Sequence, residues 1–234
     1  LAEHGIAVRI DRGDVGGNLQ DHLDYVASYE CDDTRFLGQT LTGQINGLKS
    51  FWQWFTKRTG AMTTPYAEGG AFLKVDPDSP RPDVQLHFVI AALEDHGRTK
   101  VKAHGFSGHV CVLRPESKGT VRLASTDARA APLIDPAFLT DPRDIALMKK
   151  GVKALYRILE SPPLSDFKGR DRNPIDLDDD DALDRLIRAR ADTIYHPVGT
   201  ARMGSDAEAV CDPKLRVRGV EGLYIADASI MPKL

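Results

Sequence analysis

Apolar residues recur at three- and four-residue spacing in two long stretches of this chain and alternate with polar residues in several shorter ones. That pattern predicts amphipathic helices mixed with half-buried strands. In LTGQINGLKSFWQWFTKRTG, Leu41, Ile45, Leu48, Trp52 and Phe55 share one stripe, which predicts a helix ending near Gly60 with its Trp/Phe stripe in the core. In DPRDIALMKKGVKALYRILES the stripe is Ile145, Met148, Val152, Leu155 and Leu159; Asp141 is a natural N-cap and Pro142 suits the first helical position. The acidic run Asp178 to Asp181 precedes ALDRLIRARAD and reads as a cap plus charges favoured by the helix dipole. A calcium loop, the alternative, would need alternating ligands and a distal Glu.

Strands are expected in GGAFLKV and DVQLHFVI, on either side of the turn-rich DPDSPRP. In the second of them Val84, Leu86, Phe88 and Ile90 share one face, while Gln85 and His87 point the other way. GHVCVLRPESKGTVRLAS reads as a hairpin. The opening LAEHGIAVRID resembles a helix end followed by a short strand, and GLYIADASIMPKL an apolar strand running into a turn. Both ends read as interrupted elements, so the chain is expected to be a fragment. Antiparallel strands with amphipathic helices make the fold class α+β.

With 234 residues, 41% of them hydrophobic, the chain can bury one large core or two small ones. A net charge of -3 without a Lys/Arg block argues against nucleic acid as the main partner. No apolar run approaches the ~20 residues a membrane-crossing helix needs, and the first residues lack a signal-peptide pattern. Cys31, Cys111 and Cys211 are odd in number and far apart, which suggests neither a disulfide framework nor a zinc site. A reducing, cytoplasmic location is expected.

Candidate chemistry concentrates in YHPVGTARMGSD, residues 195–206, which suits neither a helix nor a strand. Pro197 holds the preceding His196 extended, and Gly199 and Gly204 permit backbone angles that other residues resist, so the stretch predicts a shaped loop carrying one imidazole. On the loop alone a capping or core histidine is the better reading, and a base the weaker one. Other chemistries lack their signatures. There is no H-E-x-x-H and no His pair four apart on an expected helix, so no metal site is predicted. GFSGH at 105–109 is not G-x-S-x-G and precedes a strand. No two glycines are separated by a single residue, so the dinucleotide fingerprint G-x-G-x-x-G does not occur in these residues.

The tail YHPVGTARMGSDAEAVCDPKLRVRGVEGLYIADASIMP, with VGGNLQDHLD near the start, closely resembles the glucose-methanol-choline family of flavin-dependent oxidoreductases, in particular its choline dehydrogenase-like members. TPYAEGGAFLK, RPDVQLHF, RPESKGTVRLAS and APLIDPAFLTDPRD follow in the family's order, so the resemblance spans essentially the whole chain. It implies FAD as cofactor and an antiparallel substrate domain at 25–192. Residues 1–24 and 193–234 would then belong to a Rossmann-type FAD domain whose glycine-rich turn lies upstream.

The resemblance also implies roles. His196 would face the flavin as base, or as alkoxide stabiliser, while an alcohol gives hydride to the cofactor; imidazole suits proton acceptance near neutral pH. Asp227 and Ala228 would contact the flavin. Tyr66, Ala67 and His87 would line the substrate cavity, with a satisfied buried histidine as the other reading of His87 and a structural role for Glu68. Asn18, Asp21 and His22 are diagnostic of the family, with turn formation and packing as their reading. The family's second catalytic His or Asn has no counterpart up to Leu234, and Lys233 stands where a small residue is expected. The expected activity is oxidation of a small alcohol, with electrons passed to oxygen, a quinone or another acceptor. The alternatives are an inactive or interaction module retaining the fold, and cyanohydrin cleavage within the same family.

Overall fold

The apolar and polar periodicities resolve, in a computed structural model that describes all 234 residues, into seven strands and three α-helices. In chain order these are β1 (Leu23–Cys31), α1 (Leu41–Lys57), β2 (Ala67–Leu73), β3 (Val84–Val89), β4 (His104–Val112), β5 (Thr120–Arg122), β6 (Leu133–Asp135), α2 (Pro142–Leu159), α3 (Asp180–Arg190) and β7 (Asp192–Thr193). They divide into two units. The first comprises residues 1–23, 114–144 and 193–234, and the second residues 24–113 and 145–192.

The second unit is built on an antiparallel sheet of order β2-β3-β4-β1-β7. Its register pairs Leu86 with Val110 and Val110 with Tyr25, which gathers Val84, Phe106, Val112, Ala27 and Tyr29 onto the same face. α2 covers that face with Met148, Val152, Leu155 and Leu159, all buried. Each such side chain contributes roughly 1.5–3 kcal/mol on burial, so the stripe rather than helix propensity holds α2 in place. Close approach needs glycine: a Cβ on Gly108 would lie 2.6 Å from Leu155 Cδ1, and one on Gly151 2.9 Å from Val110 Cγ2. The opposite face carries Asp24, Ser28, Gln85, His87, Ser107 and His109. The sequence alternation in DVQLHFVI therefore separates an apolar face from a polar one, although β3 ends at Val89 and does not include Ile90.

The helix ends form as expected. Asp141 Oδ1 accepts a hydrogen bond from the Arg143 amide at 2.9 Å, ahead of α2. Asp179 Oδ1 accepts one from the Ala182 amide at 2.9 Å and caps α3, whose Leu183 and Ile187 are buried. Behind α3 lies a four-charge cluster. Arg172 donates to Glu94 through Nε and Nη2 at 3.1 and 2.9 Å and pairs with Glu30, while Arg190 also bonds Glu94. Burial would raise the Glu94 pKa, but the two guanidinium groups outweigh it and hold the carboxyl below the usual range. A depressed folded-state pKa contributes stability above the unfolded value and loses it as pH falls through the folded one. Glu94→Gln should therefore cost about 1–2 kcal/mol at neutral pH, and the deficit should shrink below the ordinary carboxylate range. Urea unfolding of both proteins at the two pH values measures it, and a deficit that grows toward acid would contradict the assignment.

Three expectations are corrected. The apolar stripe of α1 is not core: Leu41, Ile45, Leu48, Trp52 and Phe55 are all exposed, because the helix turns its small and polar side inward. GHVCVLRPESKGTVRLAS is no hairpin. Both edges of β4 are taken by β1 and β3, so β5, in the other unit, pairs with β6 instead. The terminal apolar segments form no named strands either. Ala2–His4 is a single 3-10 turn, and after the bridge from Tyr224 to Arg216 the chain enters a 3-10 turn at Ala228–Ile230, since a strand needs a paired neighbour along its length.

In the first unit, residues 114–144 group with the terminal segments. The ladder-like bonds Leu19 N to Gly119 O and Gly119 N to Leu19 O, at 3.0 and 2.8 Å, are part of the reason. A small core of Ala201, Val210 and Cys211, flanked by Met203, Val217, Ile225 and Ile230, ties the tail together. No helix in either unit is long and apolar enough to cross a membrane.

Candidate functional site

The YHPVGT loop is held from both sides by the early NLQDH segment within the first unit. Gln20 and Val198 exchange two backbone hydrogen bonds, at 3.0 and 2.8 Å, and the Ile194 amide donates to His22 O. Asn18, itself at φ 54, donates from Nδ2 to Gly199 O and to Pro232 O, each at 3.3 Å. Gly199 has φ +97, and a Cβ there would lie 2.4 Å from Asn18 O, so only glycine lets the two strands of chain approach this closely. At the far end of the motif Arg202 forks onto both Asp206 oxygens at 2.9 Å and reaches Asp14 through Nε at 3.1 Å.

Asp21 does the positioning. Its buried carboxylate accepts from the His196 amide at 2.9 Å through Oδ1 and from the Thr193 hydroxyl through Oδ2, and Thr193 in turn accepts from the Tyr195 amide at 2.8 Å. Tyr195, at φ 68, completes a tight turn just before the histidine. His22 Nδ1 and His196 Nδ1 are 3.0 Å apart with the rings edge to face, so one donates and the other accepts. With Nδ1 engaged, Nε2 is the nitrogen of His196 left to take a proton from elsewhere. The imidazole itself is exposed. Sequence reasoning read Asn18, Asp21 and His22 as turn and packing residues; the bonds to the His196 loop were not legible, because the partners lie more than 170 residues apart.

Asp227 and Ala228 lie beside this loop. Gly199 N donates to Ala228 O, Ala201 N to Ser229 O and Met203 N to Ile230 O, at 3.4, 2.9 and 2.7 Å. Asp227 Oδ1 caps the short turn by accepting from the Ser229 amide at 2.8 Å, and the Ser229 hydrogen bonds hold its carboxyl below the usual pKa range. The structure thus brings His196, Asp227 and Ala228 together in one unit. Ala226–Ala228 and His196 are all exposed in this unit, so backbone groups and an imidazole are accessible there, groups of the kind that could meet one edge of a bound flavin. These residues include no glycine-rich phosphate turn.

Tyr66, Ala67 and His87 sit in the second unit. His87 is half-buried on the polar face of the sheet, opposite Gly70 on β2 and His109 on β4, and its ring meets that of His109 edge to face at 6.4 Å. His109 Nδ1 is bonded to the fully buried Asp24 carboxylate at 2.6 Å, and His96 Nδ1 lies 3.9 Å from the same oxygen. Burial pushes the His96 pKa down against the pull of Asp24. His87 is therefore backed by a buried carboxylate and histidine cluster. Tyr66 adopts φ 74 at the mouth of β2, where a register shift between Ala67 and Gly69 turns the strand, and both Tyr66 and Ala67 are exposed.

Comparison with known proteins finds relatives along the whole chain. The sequence profile of the GMC oxidoreductase family covers residues 115–234. The alcohol dehydrogenase [acceptor] of Pseudomonas putida is 41% identical over 237 residues, covering 100% of this chain and 43% of that protein. The oxygen-dependent choline dehydrogenase of Burkholderia pseudomallei is 37% identical over 233 residues, 99% of this chain and 41% of that one. Among solved structures, a formate oxidase variant from Aspergillus oryzae RIB40 superposes with a TM-score of 0.86 at 26% identity, covering 100% of this chain and 46% of its own. Pyridoxine 4-oxidase from Mesorbium loti gives 0.79 at 25%, covering 99% and 42%. The chain spans about two-fifths of the length of the curated relatives it matches. The matched profile takes in more than half of the chain and the solved relatives share its fold, so the chain belongs to the GMC oxidoreductase family.

Proposed function

We propose that this chain supplies the proton-accepting half of an FAD-dependent oxidation of a small alcohol to an aldehyde or ketone. The observation that carries the reading is the clamp on His196: its amide on Asp21, its Nδ1 on His22, and its residue exposed in the unit that also holds Ala226–Ala228. Bound FAD supplies the hydride acceptor. The chain's own contribution is the proton: His196 Nε2 accepts the hydroxyl proton, the oxygen's electron pair forms the carbonyl, and hydride leaves the carbinol carbon. For Nε2 to accept, Nδ1 must carry the hydrogen and donate to His22 Nδ1, which fixes the tautomers of both rings. Asp227 and Ala228 hold the cofactor edge. The family resemblance marks Tyr66, Ala67 and His87 of the second unit as substrate-binding residues. A base working at hydrogen-bond range gains from being held in one place, and the Asp21, Asn18 and Gln20 bonds do that.

The test is anaerobic mixing of the full-length FAD-loaded polypeptide carrying this chain with a panel of primary and secondary alcohols, choline among them. Loss of the oxidised-flavin absorbance and one carbonyl formed per flavin are expected. A protein that bleaches with no alcohol but cleaves cyanohydrins would instead follow the lyase branch of the family. A companion result concerns the cofactor: the 234 residues alone should retain no stoichiometric FAD through purification, since they carry one cofactor edge and no glycine-rich phosphate turn. Stoichiometric flavin absorbance in that preparation would contradict this.

A further inference from the structure

We propose that His22 is a positioning residue for the base, a role that rests on the alcohol-oxidation reading and extends it to a second imidazole. Its Nδ1 lone pair holds His196 in the one tautomer that can take a proton at Nε2, and goes on accepting the same hydrogen bond once His196 is charged.

The meeting of the two rings is built into the backbone. Gln20 and Val198 are antiparallel bridge partners, so two residues along each segment His22 falls opposite His196, on the same side. Regular pairing would send the His196 amide to His22 O. Tyr195, at φ 68, breaks the ladder, so His22 O takes the Ile194 amide at 3.2 Å and the His196 amide goes to Asp21 Oδ1 at 2.9 Å. The rings still meet, with Nδ1 3.0 Å from Nδ1 and centroids 5.3 Å apart, edge to face. One short segment thus supplies the anchor for the His196 backbone and, in the next residue, the partner for its ring. A carboxylate is the common acceptor behind a working imidazole. Here both oxygens of Asp21 are occupied by the His196 amide and the Thr193 hydroxyl, which leaves the part to His22.

Two ring nitrogens 3.0 Å apart share one hydrogen. If His22 Nδ1 carried it, His196 would hold its own hydrogen at Nε2 and could donate there but not accept. If His196 Nδ1 carries it, Nε2 keeps its lone pair. The state after proton transfer favours the second arrangement. When the hydroxyl O–H bond breaks and an N–H bond forms at Nε2, the ring becomes an imidazolium with hydrogen on both nitrogens. Its Nδ1–H then needs an acceptor, and a His22 already holding hydrogen at Nδ1 would set N–H against N–H. With His22 as acceptor, its own hydrogen at Nε2, the same bond serves before and after transfer. It becomes charge-assisted as the positive charge forms, and neither ring has to turn.

The experiment uses the full-length FAD-loaded polypeptide with isotopically labelled histidine nitrogens, alongside His22→Leu and His22→Asn. Long-range proton–nitrogen NMR spectra at alkaline pH report which nitrogen of each ring carries hydrogen, with signals assigned by their loss in His22→Asn and His196→Ala. His196 is expected with hydrogen on Nδ1 and His22 with hydrogen on Nε2. His22→Leu removes the acceptor: His196 should become a mixture of tautomers, and flavin reduction by alcohol should slow by at least about 10-fold, with the loss in kcat and KM little changed. His22→Asn keeps an oxygen one bond beyond Cγ, where Nδ1 stood, and should restore the Nδ1 tautomer and most of the rate, a recovery that a packing role would not give. Hydrogen on Nε2 of His196 in the wild type overturns the proposal. So does His22→Leu reducing its flavin at the wild-type rate, or His22→Asn being as slow as a folded His22→Leu. If His22→Leu does not fold, the wild-type tautomers and the rate of His22→Asn against the wild type decide. Failure of the alcohol-oxidation reading shows separately, as a wild type that no alcohol bleaches, and the spectra still read the tautomers in that protein.

Discussion

Replacing His196 by alanine in the full-length polypeptide should slow flavin reduction by alcohol by about 10² to 10⁴-fold, the range for a positioned acid–base group, and leave flavin binding nearly intact. The separation follows from geometry. The cofactor edge assigned to Asp227 and Ala228 is held by backbone bonds from Gly199, Ala201 and Met203, none of which involves the His196 side chain. The alanine variant keeps the amide on Asp21, so the loop retains its course. What is lost is the acceptor for the hydroxyl proton. The fall in rate toward acid that an unprotonated base imposes should flatten in the variant, while the wild type keeps it. Anaerobic stopped-flow reduction across a pH series reads both effects. A variant that reduces its flavin at the wild-type rate would make His196 a loop-shaping residue and remove the chemical half of the proposed function.

How the sequence foreshadowed this site depends on how far apart the partners lie. α2 and α3 were legible down to their caps, because Asp141 and Asp179 act on amides two or three residues away and the stripes they introduce are buried. The two faces of β3 were legible for the same local reason. The shape of the YHPVGT loop followed from Pro197 and Gly199, and the family resemblance singled out His196, Asp227 and Ala228, which all lie in the first unit, where Ala228 O accepts from the Gly199 amide. The clamp was not legible. Asp21 and His22 meet His196 across 175 and 174 residues of chain, and no local periodicity encodes a contact at that separation. A composition cue did exist: a carboxylate and a histidine side by side after an Asn able to adopt positive φ are unusual for a plain turn.

The misreadings have a common cause. Periodicity reports that a segment has an apolar side, and is silent on what that side meets. For α1 the stripe was assigned to the core by default, whereas Gly43, Asn46 and Ser50 are the residues partly covered, with Asn46 donating to Thr34 O. For GHVCVLRPESKGTVRLAS, adjacency in sequence suggested adjacency in the sheet, but β4 is a central strand with no free edge. Apolar residues 223–226 read as a strand, yet strand formation requires backbone partners, and here they are confined to short bonds such as Ile225 N to Leu215 O at 3.1 Å.

The second large effect is expected at Asp21, a positioning residue that should touch neither alcohol nor cofactor. Asp21→Ala removes the acceptor for the His196 amide and for the Thr193 hydroxyl at once, in a site where the carboxylate is 8% exposed. Leaving those donors unpaired should cost about 2–4 kcal/mol of stability in the unit formed by the termini. Catalysis should suffer separately. Without the clamp the imidazole samples positions beyond hydrogen-bond range of the alcohol, and a misplacement near 1 Å can cost roughly 10²-fold. The loss should fall on kcat with KM little changed, and the acid limb of the pH profile should persist, since His196 is still the base. That persistence distinguishes Asp21 from His196. Asp21→Asn keeps a carbonyl oxygen for the His196 amide and lets the Thr193 hydroxyl turn to accept, so it should recover most of the rate. If the asparagine variant is as slow as the alanine one, the charge of Asp21 matters in its own right and the purely geometric account of the clamp fails; if alanine is as fast as wild type, the loop is held by Asn18 and Gln20 alone.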